Sequence, residues 1–183
     1  MGRVPERDTE VLEFLVQEEL TGFTFDGLRR RLRLHPETLS RILYRLEELE
    51  IVERGSEGYT VSPQAPTLLG VSVAPHSPRT QVLQTLLPMD VSAGSLLSAV
   101  SGKWFGSLRW LGYSKTPERT TLKWVTSDGR AQIDGVVWDG SLSIEAILLQ
   151  GGDPDTALRV SHTLLGYLTK CLARASWERE SSV

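Results

Sequence analysis

The sequence predicts an α+β protein in two parts. Three helices closed by a β-hairpin come first, and an antiparallel four-stranded meander covered by helices follows. Three observations predict this. Apolar residues recur at helical spacing three times before Ile51. The turn sequences "GSEG", "SDG" and "DGS" punctuate runs with strand character. Between the two parts lies Val61 to Pro78, an uncharged stretch with four prolines (Pro63, Pro66, Pro75, Pro78), too broken for a membrane helix and suited to a linker. The expected organisation is therefore residues 1–62, a linker at 63–79, and residues 80–183.

In the first part, "DTEVLEFLVQEEL" places Val11, Leu12, Leu15, Val16 and Leu20 on one helical face, with Asp8 or Thr9 as N-cap. "TGF" breaks this helix. "TFDGLRRRLRLH" forms a short second helix, with Leu28 and Leu32 inward and Gly27 as a weak point. Pro36 opens a third, where its missing N–H is harmless. There Leu39, Ile42, Leu43, Leu46 and Leu49 mark the buried face. "IVERGSEGYTVS" reads as a hairpin. A short strand is expected at Leu68 to Val73, inside the linker. In the second part "TQVLQTLL" and "SAGSLLSAVSG" read as short helices, the latter capped by Ser92. "WFGSLRWLGYS", "TTLKWVTS", "RAQIDGVVW" and "LSIEAILL" read as the four strands. Asp155 to about Ala173 reads as an amphipathic helix over the apolar face, with a loose tail behind it.

The stretch from Phe23 to Ser62 resembles the winged helix-turn-helix domains of prokaryotic transcription regulators, of the broad MarR and ArsR kind. Members carry a recognition helix of the form "xxxLSRxLxxLExLGxVxR", followed by a wing. Leu39, Ser40, Arg41, Leu43, Leu46, Glu47, Leu49, Val52 and Arg54 match it, and Glu50 departs where the family often has Gly. The resemblance covers about a third of the chain. It implies an N-terminal winged helix-turn-helix that binds double-stranded DNA, with the helix at residues 36–49 in the major groove.

The charges agree with that implication locally. The whole chain carries 20 basic and 23 acidic residues, so no global field draws it to nucleic acid. Between Arg29 and Arg45, however, six arginines face one acid, Glu37. Phosphate contact depends on nearby charge. The expected DNA-binding residues are Arg29, Arg30, Arg33, Thr38, Ser40, Arg41, Tyr44, Arg45 and Arg54. Against this stand the acidic helix end (Glu47, Glu48, Glu50, Glu53) and a hairpin tip with Glu57 and no cation. These features fit a protein-interaction adaptor that uses the same module for docking.

No catalytic pattern emerges. The three histidines, His35, His76 and His162, have no ligand spacing, and one cysteine, Cys171, allows neither an internal disulfide nor a cysteine metal site. No enzyme activity, cofactor or metal is expected. With no signal-type apolar run at the start and a single thiol, a cytoplasmic location is expected. Trp104, Trp110, Trp124 and Trp138 fall on the expected strands. They are core residues or the lining of a pocket for a small apolar ligand. The second part is the natural homodimerisation or sensor domain, since two-fold operators call for two copies.

Overall fold

A computed structural model describes residues 6–66 and 78–180. Three helices come first: α1 (Glu6–Gln17), α2 (Phe25–Leu32) and α3 (Pro36–Glu48). Thr24 caps α2 by accepting the Gly27 N–H, and Pro36 opens α3. Leu12, Leu15, Leu28, Leu39, Ile42, Leu43 and Leu46 meet in one apolar cluster, each with almost no exposure. Helix α1 starts ahead of its expected cap, so Asp8 sits inside it and is buried.

Two features end helices in a conformation that L-residues avoid. Arg33 closes α2 at φ 53°, and Glu50 follows α3 at φ 56°. Glycine usually fills such places. Glu50 thus takes a left-handed helix end that glycine adopts without strain. The Ile51 N–H reaches back to the Leu46 carbonyl at 2.9 Å, as a left-handed helix end requires.

The strands are β1 (Gly22–Phe23), β2 (Val52–Gly55), β3 (Gly58–Val61), β4 (Thr80–Leu86), β5 (Leu108–Lys115), β6 (Arg119–Thr126), β7 (Ala131–Trp138) and β8 (Ser141–Leu148). They form one antiparallel eight-stranded sheet in the order β2-β3-β1-β5-β6-β7-β8-β4. This corrects the expected fold class, an N-terminal winged helix-turn-helix followed by a separate four-stranded meander. The hairpin is not a free wing. Two residues, Gly22 and Phe23, pair with β3 on one side and β5 on the other, so the hairpin and the meander become one sheet. Close backbone approach makes this possible. A Cβ on Gly112 would sit 2.1 Å from the Gly22 carbonyl oxygen.

Helices cover both faces. On one lie α1 and α2, with Leu111 of β5 joining the apolar cluster of the first three helices. Gly27 explains the fit of α2: a Cβ there would meet the Trp110 carbonyl oxygen at 2.5 Å and Leu111 Cα at 2.6 Å. A mid-helix glycine costs about 1 kcal/mol against alanine, and close seating of α2 on β5 is what it permits. The other face carries α4 (Ala93–Val100) and α5 (Pro154–Glu180) over Leu122, Trp124, Ile133, Leu142 and Ile144. Ser92 and Ser95 form a reciprocal capping box at α4.

Three smaller expectations change. "TQVLQTLL" is strand β4, because it finds the edge of β8 and lays Val82 and Leu83 on the second core. Helix α5 runs to Glu180 instead of ending near Ala173. Trp104 precedes β5 instead of lying on it. The strand expected at Leu68 to Val73, like most of the expected linker, lies outside the described residues. Among the described residues no helix is long and apolar enough to cross a membrane.

Candidate nucleic-acid interface

Helix α3 is seated by a wholly buried inner face, Leu39, Ile42, Leu43 and Leu46. Its other side presents Glu37, Ser40, Arg41, Tyr44 and Glu48 to solvent, while Thr38 is half-buried. Tyr44 is 62% exposed, unusual for so large an aromatic. Glu48 raises the pKa of its hydroxyl, first through a hydrogen bond and then through its charge.

The arginines expected to face DNA divide into two groups. Arg45 does not point outward with Arg41. Its guanidinium grips buried Asp8 of α1 through two bonds of 2.6 Å, and the hydrogen bond with Asp8 raises its pKa further. It clamps α3 to α1. Arg33 also works internally, donating to the carbonyls of Gly129 (3.2 Å) and Gln150 (2.9 Å). Its neighbour Arg31 turns inward altogether, donating to Gln132 Oε1 at 2.6 Å and lying 4.8 Å from the Phe14 ring. Burial lowers the Arg31 pKa, with Glu18 and Asp134 opposing. Arg41 and Arg29 make only surface pairs, with Glu37 and Asp26. Arg54 is exposed on β2. Arg30 lies against Trp104. The local excess of positive charge read from the sequence is thus partly consumed in holding α2 onto the sheet and α3 onto α1.

Next to this surface lies a groove of about 540 Å³ lined by Glu47, Glu50, Glu53, Val52, Thr60 and Pro63. It is the acidic half of the α3 surface, gathered at the base of the hairpin.

The four tryptophans do not line one pocket. Trp110 and Trp124 are buried as an edge-to-face pair with centroids 5.0 Å apart. Trp104 and Trp138 are each 58% exposed, and the strand register puts them at opposite ends of the sheet. Trp110 reaches a cleft of about 430 Å³, shared with Phe23, Tyr59, Tyr113 and the hairpin tip, and Trp138 borders a separate one of about 390 Å³ beside Val91 and Lys115.

One cluster escaped the sequence reading. Lys123 is 2% exposed and sits 2.9 Å from Glu18 Oε2 and 3.2 Å from Asp134 Oδ2. Gln132 donates to both carboxylates at 3.0 Å. Arg79, ahead of β4, reaches both acids as well. Burial pushes the Glu18 carboxyl up, but Lys123 and Arg79 overcome it and hold its pKa at about 2. Every buried polar side-chain atom among the described residues has a partner. The cluster binds the end of α1 to β6 and β7 and is structural. Among the described residues no group of three His, Cys, Asp or Glu could hold a metal ion. No family model, curated protein or solved structure matches the chain.

Proposed function

We propose that the chain is a DNA-binding transcription regulator whose contact surface for duplex DNA is the outer face of α3. The observation that carries this reading is the exposed row of Ser40, Arg41 and Tyr44 on a helix whose opposite face is fully buried. A helix so seated can enter a major groove without rearranging. Arg41 is held only by an exposed pair with Glu37. Such pairs contribute at most about 1 kcal/mol, so Arg41 is readily released to a guanine edge or a phosphate. Arg45 positions the helix through Asp8. Arg29 and Arg54 supply further charge on the elements flanking α3 in the chain. The regulator acts as a homodimer on a two-fold site, and the cleft beside Trp110 and Tyr113 accepts a small apolar ligand.

The test is selection of bound duplexes from a random pool, followed by anisotropy titration at several salt concentrations. Specific binding should weaken steeply with salt. Arg41→Ala with Tyr44→Ala should abolish it while leaving the melting temperature unchanged. Absence of duplex binding at low salt ends the proposal. A solution mass corresponding to a monomer at micromolar concentration removes the dimer.

A second reading is an adaptor that docks a basic protein segment. The groove of Glu47, Glu50 and Glu53 favours it, since those charges repel phosphate. Co-purification of a basic partner, lost in Glu50→Lys with Glu53→Lys, separates it from the first reading.

A further inference from the structure

Trp104 stands in the turn ahead of β5, and no core explains its position. Its neighbours hold it rigidly. The Lys103 carbonyl accepts the Trp124 indole N–H at 3.1 Å, and Phe105 is buried between Trp124 and Tyr167. Phe105 also exchanges two backbone hydrogen bonds with Leu108, of 3.1 and 2.9 Å. With both neighbours fixed, the Trp104 ring is pinned outside the fold, 58% exposed.

Two guanidinium groups lie against this ring. Arg109 Cζ is 4.5 Å and Arg30 Cζ 5.7 Å from its centroid. Arg33, three residues after Arg30 on the same helix end, is anchored to the neighbouring loop carbonyls. None of Arg30, Arg33, Lys103 and Arg109 has a carboxylate at ion-pair distance among the described residues. The nearby acids are engaged: Asp26 pairs with Arg29, Asp128 with Arg130, and Asp153 caps α5 through Thr156. Elsewhere on the chain Arg41, Arg45, Arg79 and Arg119 all have carboxylate partners. One end of the sheet therefore presents an exposed aromatic face among unneutralised cations.

We propose that the Trp104 surface is a binding site for an unpaired nucleobase with its adjacent phosphates, the base stacking on Trp104 and the phosphates meeting Arg30, Arg109 and Lys103. Stacking platforms beside positive charge are how proteins hold single strands without reading sequence. A base inside a duplex presents no face to such a ring. The site is thus distinct in chemistry from the α3 surface and stands whether or not α3 binds duplex DNA. The same chemistry comes from two sources, a single-stranded nucleic acid or a free nucleotide. A strand engages several of the cations at once, a mononucleotide fewer.

The full chain is titrated with a labelled twelve-residue oligo-dT strand, with dTMP and with a poly-glutamate peptide, at low salt. The strand should bind and quench tryptophan emission. Trp104→Ala should weaken it about tenfold, the size of one lost base–aromatic stack. Trp104→Phe should restore most of that loss, and Arg30→Gln with Arg109→Gln should lower affinity and flatten the salt dependence. Trp104 is exposed and the two arginines are half-buried with no carboxylate partner, so circular dichroism should show unchanged folding. Binding of dTMP alone, lost in Trp104→Ala, assigns the site to a free nucleotide. Three outcomes overturn the proposal: no binding of strand or nucleotide, equal binding by Trp104→Ala, or poly-glutamate binding as tightly as the strand. Arg41→Ala serves as the control. It should leave strand binding intact, so failure of the α3 reading and failure of this one give different patterns.

Discussion

Replacing Lys123 by methionine tests whether the helical layer is bonded to the sheet by charge. Methionine matches the lysine stem in volume, so no cavity opens and the effect is electrostatic. Lys123 lies 2.9 Å from Glu18 and 3.2 Å from Asp134, and the two acids are 8% and 0% exposed. Without it, Arg79 is the cation left at ion-pair distance from both carboxylates, with Arg31 acting from farther off, and the Arg79 side chain is one-third exposed. Removing one member of a buried ion pair typically costs about 3–5 kcal/mol, because the remaining charge is left uncompensated. The lower end is expected here, since Arg79 and Gln132 remain. Urea denaturation at pH 7 should therefore show about 3 kcal/mol lost with an unchanged slope. The pH dependence sharpens the test. The Glu18 pKa is lowered in the folded chain from 4.5 to about 2. A depressed acid stabilises the fold above its unfolded pKa and loses that contribution as pH falls from about 4.5 to about 2. At 1.36 kcal/mol per unit this is about 3 kcal/mol, in keeping with the mutational figure. The deficit of Lys123→Met should thus shrink as pH falls through that window. A loss under 1 kcal/mol at pH 7, or one that is the same at pH 3, would refute the reasoning.

Other consequences are simpler to check. Gly27→Ala gains helix propensity but drives a Cβ into the Trp110 and Leu111 backbone, so thermal melting should show a net loss of at least about 2 kcal/mol. Glu50→Gly relieves a left-handed residue at φ 56° and should raise stability by about 0.5–1 kcal/mol, read as a higher denaturation midpoint. Arg45→Ala strips buried Asp8 of its partner and should lower the melting temperature, whereas Arg41→Ala, which breaks only an exposed pair, should leave it unchanged. Calorimetry of the whole chain should give a single transition, since one sheet and one ionic cluster join both halves; two separate transitions would contradict this.

The helices of the first part were legible because their buried faces repeat at 3, 4 spacing, and strands β6 to β8 because turns bound them. The joining of the two parts was not. It depends on Gly22 and Phe23, and "TGF" reads as a helix break because a two-residue strand has no alternation to display. Its bonds are backbone bonds, such as the Thr21 N–H to the Tyr113 carbonyl at 2.9 Å and the Val61 N–H to the Thr21 carbonyl at 3.0 Å. Backbone pairing over such distances leaves no mark on side-chain type. One signal was available, however. Lys123 of β6 pairs with Asp134 of β7, which pairs with Glu145 of β8. One lysine and two acids aligned across consecutive strands, with Gln132 beside them, describe a polar row that needs further cations under cover more readily than a solvated face. The same row would have given Arg31 a partner and removed it from the charge count for DNA.

That correction changes what the basic stretch of α2 is for. Read as a string, Arg29 to Arg33 is a phosphate-binding run. In the fold, the helix rotates these residues through different surroundings within about one turn. Arg31 goes into the ionic cluster, Arg33 to the loops after β6 and β8, and Arg30 to Trp104, while Arg29 stays with Asp26 at the surface. Arg31 and Arg33 thus fasten α2 to the sheet end, and α2 leads directly into α3. The bidentate grip of Arg45 on Asp8 fixes α3 from its other side. The outer face of α3 and the Trp104 surface are consequently held on one rigid frame. A ligand of either surface meets side chains whose backbone is already ordered, and binding there carries little of the entropy that ordering a loop would require.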